Sequence, residues 1–202
     1  MITRSHLFKL GAAAALMSAV QPARGQDTDQ AAAFVQSTGD KLAAIVNGTA
    51  SAAAEHASMR GITNAAFDVD GIAEFCLGRF WRTATADQKT LSIGLFQAVL
   101  TLGMAARFGE DPGVKLTVVS SHLKDKEGVV STLIDRPNSP PTAIDWVISN
   151  PTTNPKFIDV VTDGTSFRLT QRQKSATIMA HNGNNLDELL RTMQNRIAMA
   201  SD

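Results

Sequence analysis

Across residues 29–47 the apolar side chains Phe34, Val35, Leu42, Ile45 and Val46 recur at helical spacing among alanines. The spacing predicts an amphipathic helix, closed by Gly48. Residues 51–64 read as a second helix with Glu55, His56 and Arg60 on its polar face. The punctuation sharpens at Phe67-Asp68, because Asp68 suits an N-cap and Phe67 and Ile72 stand at the spacing of a hydrophobic staple. A short helix over 69–77 follows, and Gly78 breaks it so that Phe80 and Trp81 turn off its axis. Thr85-Ala86-Asp87-Gln88 has the form of a capping box ahead of residues 86–108. In that segment Leu91, Leu95, Val99, Leu102 and Ala106 form one stripe, which Ile93, Phe96, Leu100 and Met104 widen until little of the circumference is polar. Such a helix is buried on most sides. Phe67, Phe75, Phe80, Trp81, Phe96 and Phe108 concentrate six of the chain's nine Phe and two Trp in this one region.

After the turn signal Asp111-Pro112-Gly113 the period changes from about four to two. Residues 114–123, 128–135, 143–149 and 157–162 are rich in β-branched and aromatic side chains and are separated by Asn, Pro and Gly clusters, which predicts a four-stranded antiparallel meander. Ile144, Trp146 and Ile148 share one face of the third strand, and Ile158 and Val160 one face of the fourth. Pairing Trp146 with Ile158 and Ile144 with Val160 makes that face continuous. It also sets Asp145 opposite Asp159, an unfavourable like-charge pair for which Arg136, Arg168 and Arg172 are candidate counter-charges. Two more helical segments, 166–181 and 186–200, flank Asn182-Gly183-Asn184. Helices before and after a sheet segregated in sequence give an α+β class.

Composition narrows the setting. Arg4 and Lys9 precede a short apolar run over residues 10–20, and Ala23-Arg24-Gly25 offers a small-residue cleavage site. Residues 1–25 are thus expected to be a cleaved signal peptide and 26–202 a single exported domain. The run is shorter than the ~20 residues a spanning helix needs. Cleavage would remove three basic side chains and no acid, leaving 16 basic and 19 acidic residues and a mildly acidic domain. No basic excess points to nucleic acid. Cys76 is the single cysteine, so stability outside the cytoplasm must come from packing, and its apolar neighbours Phe75 and Leu77 predict a buried, inert thiol.

Candidate chemistry is sparse. Phosphate-cradling glycine loops, zinc-type spacings and nucleophile elbows do not occur after residue 25. His56, His122 and His181 lie on separate elements, so neither metal nor cofactor is expected. Asp145 and Asp159 are the one carboxylate pair that the strand register brings together. They can act as an acid and a base, or sit on a sheet face held by arginine and catalyse nothing. The remaining asset is apolar surface, and a curved sheet under helices can leave a pocket for a hydrocarbon body. At about 0.8 kcal/mol per methylene, a tail of ~16 carbons contributes on the order of 10 kcal/mol.

One succession of motifs has a family resemblance. The stretch FDVDGIAEFCLGRFWRTATADQ, followed by Asp145-Trp146-Val147, Ile158-Asp159-Val160-Val161 and Gly164-Thr165-Ser166, resembles the toluene-tolerance family of MlaC-like periplasmic lipid-binding proteins. Thr170-Gln171-Arg172, where phospholipid carriers usually have Asn-Tyr-Arg, is similar to the hopanoid-associated branch. The resemblance implies a helix-covered antiparallel sheet enclosing a lipid pocket. It implies a periplasmic carrier of phospholipid or hopanoid, working without a cofactor between an outer-membrane lipoprotein complex and an inner-membrane ABC-type transporter with its substrate-binding subunit. Apolarity and expected face select Phe75, Leu77, Phe80, Trp81, Phe96, Val99, Trp146, Ile148, Val160 and Ile178 as candidate lining. Arg79, inside Leu77-Gly78-Arg79-Phe80-Trp81, is a candidate head-group contact or core anchor. The competing readings are an enzyme on an isomerase-like cone, using Asp145 or Asp159 as base, and a non-enzymatic adaptor.

Overall fold

The computed structural model describes residues 23–108 and 112–200. Most of the expected signal peptide, residues 1–22, lies outside the described residues, as does Asp111 of the turn signal. The alanine-rich pattern near the N-terminus continues further back than its large apolar residues do, and helix α1 spans Ala23–Val46. Ala31, Val35, Leu42 and Val46 form its buried face, which lies across the sheet. Gly39 permits the close approach, since a Cβ there would stand 2.7 Å from a methyl of Leu116. Asn47 then ties the helix end to the first strand, accepting from the Gly113 and Val114 amides at 2.6 and 3.1 Å and donating to the Val114 carbonyl.

Helix α2 (Ala52–Ala66) is capped by Ser51, and α3 (Val69–Leu77) by Asp68, whose carboxylate accepts from the Gly71 amide at 3.1 Å. Gly78 takes φ +55°, the left-handed side that favours glycine, and ends α3 there. The next residues, Gly78–Arg82, form a 3-10 turn that carries Phe80 and Trp81 away, as the sequence predicts. Helix α4 (Ala86–Phe108) starts on the expected capping box: Gln88 N donates to Thr85 Oγ1 at 3.2 Å, and Thr85 N to Gln88 Oε1 at 3.0 Å. Helix α4 is long and apolar enough to cross a membrane, and only 39% of that apolar window is buried, so the expected burial on most sides is reduced to one face. Phe96, Leu100, Met104 and Phe108 are buried along it, and it packs against α2, α3 and α6.

The sheet is an antiparallel meander of β1 (Lys115–Lys124), β2 (Glu127–Arg136), β3 (Ser139–Ser149), β4 (Lys156–Thr162) and β5 (Thr165–Ser166), in spatial order β1-β2-β3-β4-β5. It has five strands where the pattern predicts four. Asp163 and Gly164, both at positive φ, make a two-residue reversal that returns Thr165 and Ser166 onto Thr162 and Val161. Helix α5 (Phe167–His181) starts after Ser166, whose Oγ accepts from the Leu169 amide. Helix α6 (Leu186–Ala200) closes the α+β fold.

The register of β3 on β4 departs from expectation. Trp146 pairs with Val160 and Ile144 with Thr162, and a bulge between Val147 and Ile148 brings Ile148 opposite Phe157. Simple alternation fails at that irregularity, so Phe157 takes the core position that Ile158 was expected to hold. The predicted Asp145–Asp159 apposition does not occur: Asp145 lies opposite Val161 and Asp159 opposite Val147. Phe157 becomes the hub of an aromatic cluster, with the rings of Phe34, Phe67 and Trp146 at 4.7, 5.0 and 4.9 Å. The Trp146 indole N–H donates to Thr132 Oγ1 at 2.9 Å, and that hydroxyl donates to the Ile144 carbonyl, so both polar groups are satisfied inside the core.

Candidate functional site

Asp159 shows what became of the one candidate acid. Its side chain is 5% exposed. One carboxylate oxygen accepts from the amides of Val160 (2.8 Å) and Arg168 (3.0 Å), the other from the Ser166 hydroxyl at 2.5 Å, and Arg168 Nε stands 3.7 Å away. Ser166 and Arg168 fasten Asp159 of β4 to the start of α5, and Asp145 is on a different part of the sheet. Of the three arginines offered as counter-charges, Arg168 takes the role, while Arg136 and Arg172 reach other partners. The arrangement is a structural clasp, not an acid–base pair. Cys76 is buried, as predicted, and loss of solvent pushes its thiol up to about 12, with the Arg172 and Arg168 cations opposing the shift and the Asp159 charge adding to it. Its Sγ donates to the Arg168 carbonyl at 3.5 Å. Among the described residues, no group of three His, Cys, Asp or Glu is placed to hold a metal ion.

Space of molecular size lies elsewhere, where α5 and α6 meet the 3-10 turn and α4. A cavity of about 290 Å³ is walled by Leu77, Gly78, Arg79 and Phe80 on one side and by Arg172, Ser175, Met179 and Leu189 on the other. Helix α5 contributes Arg172, Ser175 and Met179 at the three- and four-residue steps that put side chains on one helical face. A second cavity of about 210 Å³, between α4, α5 and α6, is lined by Val99, Leu102, Ile178 and Met193, with Gln171, Lys174 and Arg196 around it. Ser175 and Leu189 belong to both walls. Buried Leu189 therefore stands as a partition between two neighbouring chambers. A third space of about 350 Å³ runs between α1 and α2 along Phe34, Ile62, Ala65 and Ala66.

The expected lining residues distribute unevenly over this geometry. Leu77 and Phe80 face the first chamber, Val99 and Ile178 the second. Phe75 stands beside the first, its ring between the guanidiniums of Arg168 and Arg172, each 4.9 Å from the centroid. Trp81 lines neither chamber, and its ring centroid lies 5.3 Å from the Lys89 ammonium. Phe96, Trp146, Ile148 and Val160 are packed in the core at 1% exposure or less, away from these two walls. Reading the sequence for apolar strands and aromatics missed Ser175, Met179, Leu189 and Met193. Their signal was present in the helical period of the last two segments, with Leu186, Leu189, Leu190 and Met193 forming the buried stripe of α6.

The model of the MlaC protein family matches residues 36–195 of the chain. Among solved structures, a phospholipid-binding protein from Ralstonia solanacearum, determined in complex with a phospholipid, superposes with a TM-score of 0.70 at 19% sequence identity, covering 85% of this chain and 99% of that one. None of the curated proteins matches. At 19% identity the superposition speaks for the fold, and it agrees with the helix-covered antiparallel meander described above. The family match reaches from α1 into α6 and covers most of the described fold, so the chain belongs to the MlaC family.

Proposed function

We propose that this protein is a periplasmic lipid carrier, holding the hydrocarbon part of one lipid inside the α4–α5–α6 region with its head group at the surface. The observation that carries the reading is the pair of neighbouring, largely apolar chambers separated by Leu189 alone on the α6 side. Singly, at about 290 and 210 Å³, they sit at or below the ~300–1,000 Å³ of ordinary ligand pockets; joined by movement of Leu189 they fall inside that range. Family membership and the fold shared with a phospholipid-bound protein support the same class of ligand. The candidate catalytic pair is dispersed, and Asp159 is committed to its clasp, so a binding and transport protein is favoured over an isomerase-like enzyme.

In this reading residues 1–25 direct export and are removed, and the exported domain moves phospholipid or hopanoid between an outer-membrane lipoprotein complex and an inner-membrane ABC-type transporter with its substrate-binding subunit. Leu77, Phe80, Val99 and Ile178 line the lipid path; Phe75 and Trp81 flank it. Phe96, Trp146, Ile148 and Val160 lie between helices and sheet, and join the lining when the sheet and α4 part around a longer tail. Mass spectrometry of the organic extract from the purified exported protein is the test. Co-purifying phospholipid or hopanoid is the expected result. A protein that is lipid-free on isolation, and that takes up no lipid from vesicles, would overturn the carrier reading.

A further inference from the structure

The larger chamber carries two cations without a carboxylate partner among the described residues. Arg79 and Arg172 both stand on its wall, one on the 3-10 turn and one on α5. Arg168, one turn before Arg172, is matched by Asp159 and Glu127, whereas neither Arg79 nor Arg172 has a carboxylate within ion-pair distance among the described residues. Both cations are nevertheless held in place. Arg172 Nη1 donates to the Phe75 carbonyl at 2.7 Å and its guanidinium lies over the Phe75 ring, while the Arg79 guanidinium lies 4.8 Å from the Phe80 ring centroid. Gly78 keeps the space between them open: a Cβ there would stand 3.1 Å from Arg172 Nη2. Behind this rim the wall is Leu77, Met179 and Leu189.

Two guanidiniums at the rim of an apolar chamber, with Arg172 Nη2 and Nε and the Arg79 donors unspent among the described residues, match the planar, bidentate recognition of a phosphate ester. We propose that Arg79 and Arg172 form a phosphate-reading subsite, which selects a lipid with an anionic phosphodiester head over one with an uncharged head. The inference rests on the carrier reading and deepens it, because it decides between the two lipid classes left open: a phospholipid engages both cations, and an uncharged triterpenoid leaves them idle. Both residues are exposed, so the attraction is screened by salt.

The test compares binding of phosphatidylglycerol and of diacylglycerol with the same acyl chains, by the delipidated protein at low and at physiological salt. Wild type is expected to prefer phosphatidylglycerol by about tenfold, on the order of 1.4 kcal/mol, and less at higher salt. The R79Q/R172Q variant is expected to lose that preference, and R79K/R172K to keep part of it. Since Arg172 also braces Phe75, R79Q alone serves as the control for folding and should lower the preference several-fold with an unchanged thermal transition. A wild-type protein without the preference, or a double variant that retains it, overturns the subsite and leaves the carrier reading standing. Glycerol 3-phosphate separates head group from free ester: if it binds as tightly as phosphatidylglycerol, the rim reads soluble phosphate esters and the lipid assignment is wrong. Failure to bind either lipid removes the carrier reading, and the subsite with it.

Discussion

At the scale of single residues, position and not chemical type sorts the candidates. Asp159 is an acid that accepts three hydrogen bonds, and removing it strands the Val160 and Arg168 amides and the Ser166 hydroxyl in a buried place. Asp159→Ala should therefore lower unfolding stability by about 3 kcal/mol in urea titrations, with lipid loading intact below the transition. A catalytic Asp159 would show the opposite, lost activity at little cost in stability. Cys76 gives a pH signature whose sign follows from its raised value. Below about pH 9 the thiol is protonated both folded and unfolded and contributes no slope. Between there and about 12 the unfolded chain releases a proton that the folded one keeps, so stability falls as pH rises, by up to ~1.4 kcal/mol per unit. Cys76→Ala should flatten that alkaline limb of the stability profile, and native Cys76 should stay unreactive to iodoacetamide at pH 8 while the denatured chain is alkylated.

At the scale of elements, helix ends were easy to read and helix partners were not. Capping is local: Thr85 with Gln88, Asp68 with Gly71 and Ser51 with Ala54 each form a bond across three residues, and each is visible as a short motif. Thr85→Ala should cost about 1 kcal/mol, read as a lower Tm with unchanged lipid loading. The α6 stripe was equally visible as a stripe, yet nothing in its period says that Leu189 divides two chambers. That assignment predicts a specific contrast. Leu189→Ala should cost about 2–4 kcal/mol through cavity formation while joining the chambers. Leu189→Trp should fill them and abolish lipid loading in a folded protein, as judged by near-ultraviolet circular dichroism and extract mass spectrometry. Loading that survives Leu189→Trp would place the lipid elsewhere, with the space between α1 and α2 the next region to probe.

At the scale of the whole molecule, a five-stranded sheet with helices packed upon it sets a core side around Phe157 and a separate chambered side around Leu189. Dividing core from chambers separates stability from binding. Substitutions of Phe67 and Phe157 in the aromatic cluster should lower stability by several kcal/mol and affect lipid mainly through unfolding. Substitutions of the partly exposed chamber residues Val99 and Ile178 should instead lower lipid loading at small cost in stability. The expected export of the chain is checked by the intact mass of the secreted protein, which should correspond to a chain beginning at Gln26.

The amino-acid sequence by itself determined whatever depends on neighbours a few residues away: the capped helices, the break at Gly78, the Asp163-Gly164 reversal in retrospect, the change of period at residue 114, and the motifs that mark the family. It also determined which positions are apolar. It did not determine which apolar positions meet. The β3–β4 register runs two residues beyond the expected one at Trp146–Val160, which dissolves the Asp145–Asp159 pair, and the bulge between Val147 and Ile148 puts Phe157 where Ile158 was expected. Such an irregularity costs little locally and is chosen by packing against distant residues, here Phe34 and Phe67. The chambers are likewise what remains when α5 and α6 settle against α4 and the 3-10 turn. Space left unfilled between elements has no sequence of its own, and only the tertiary structure decided that Leu189, Ser175 and Arg172 would share it.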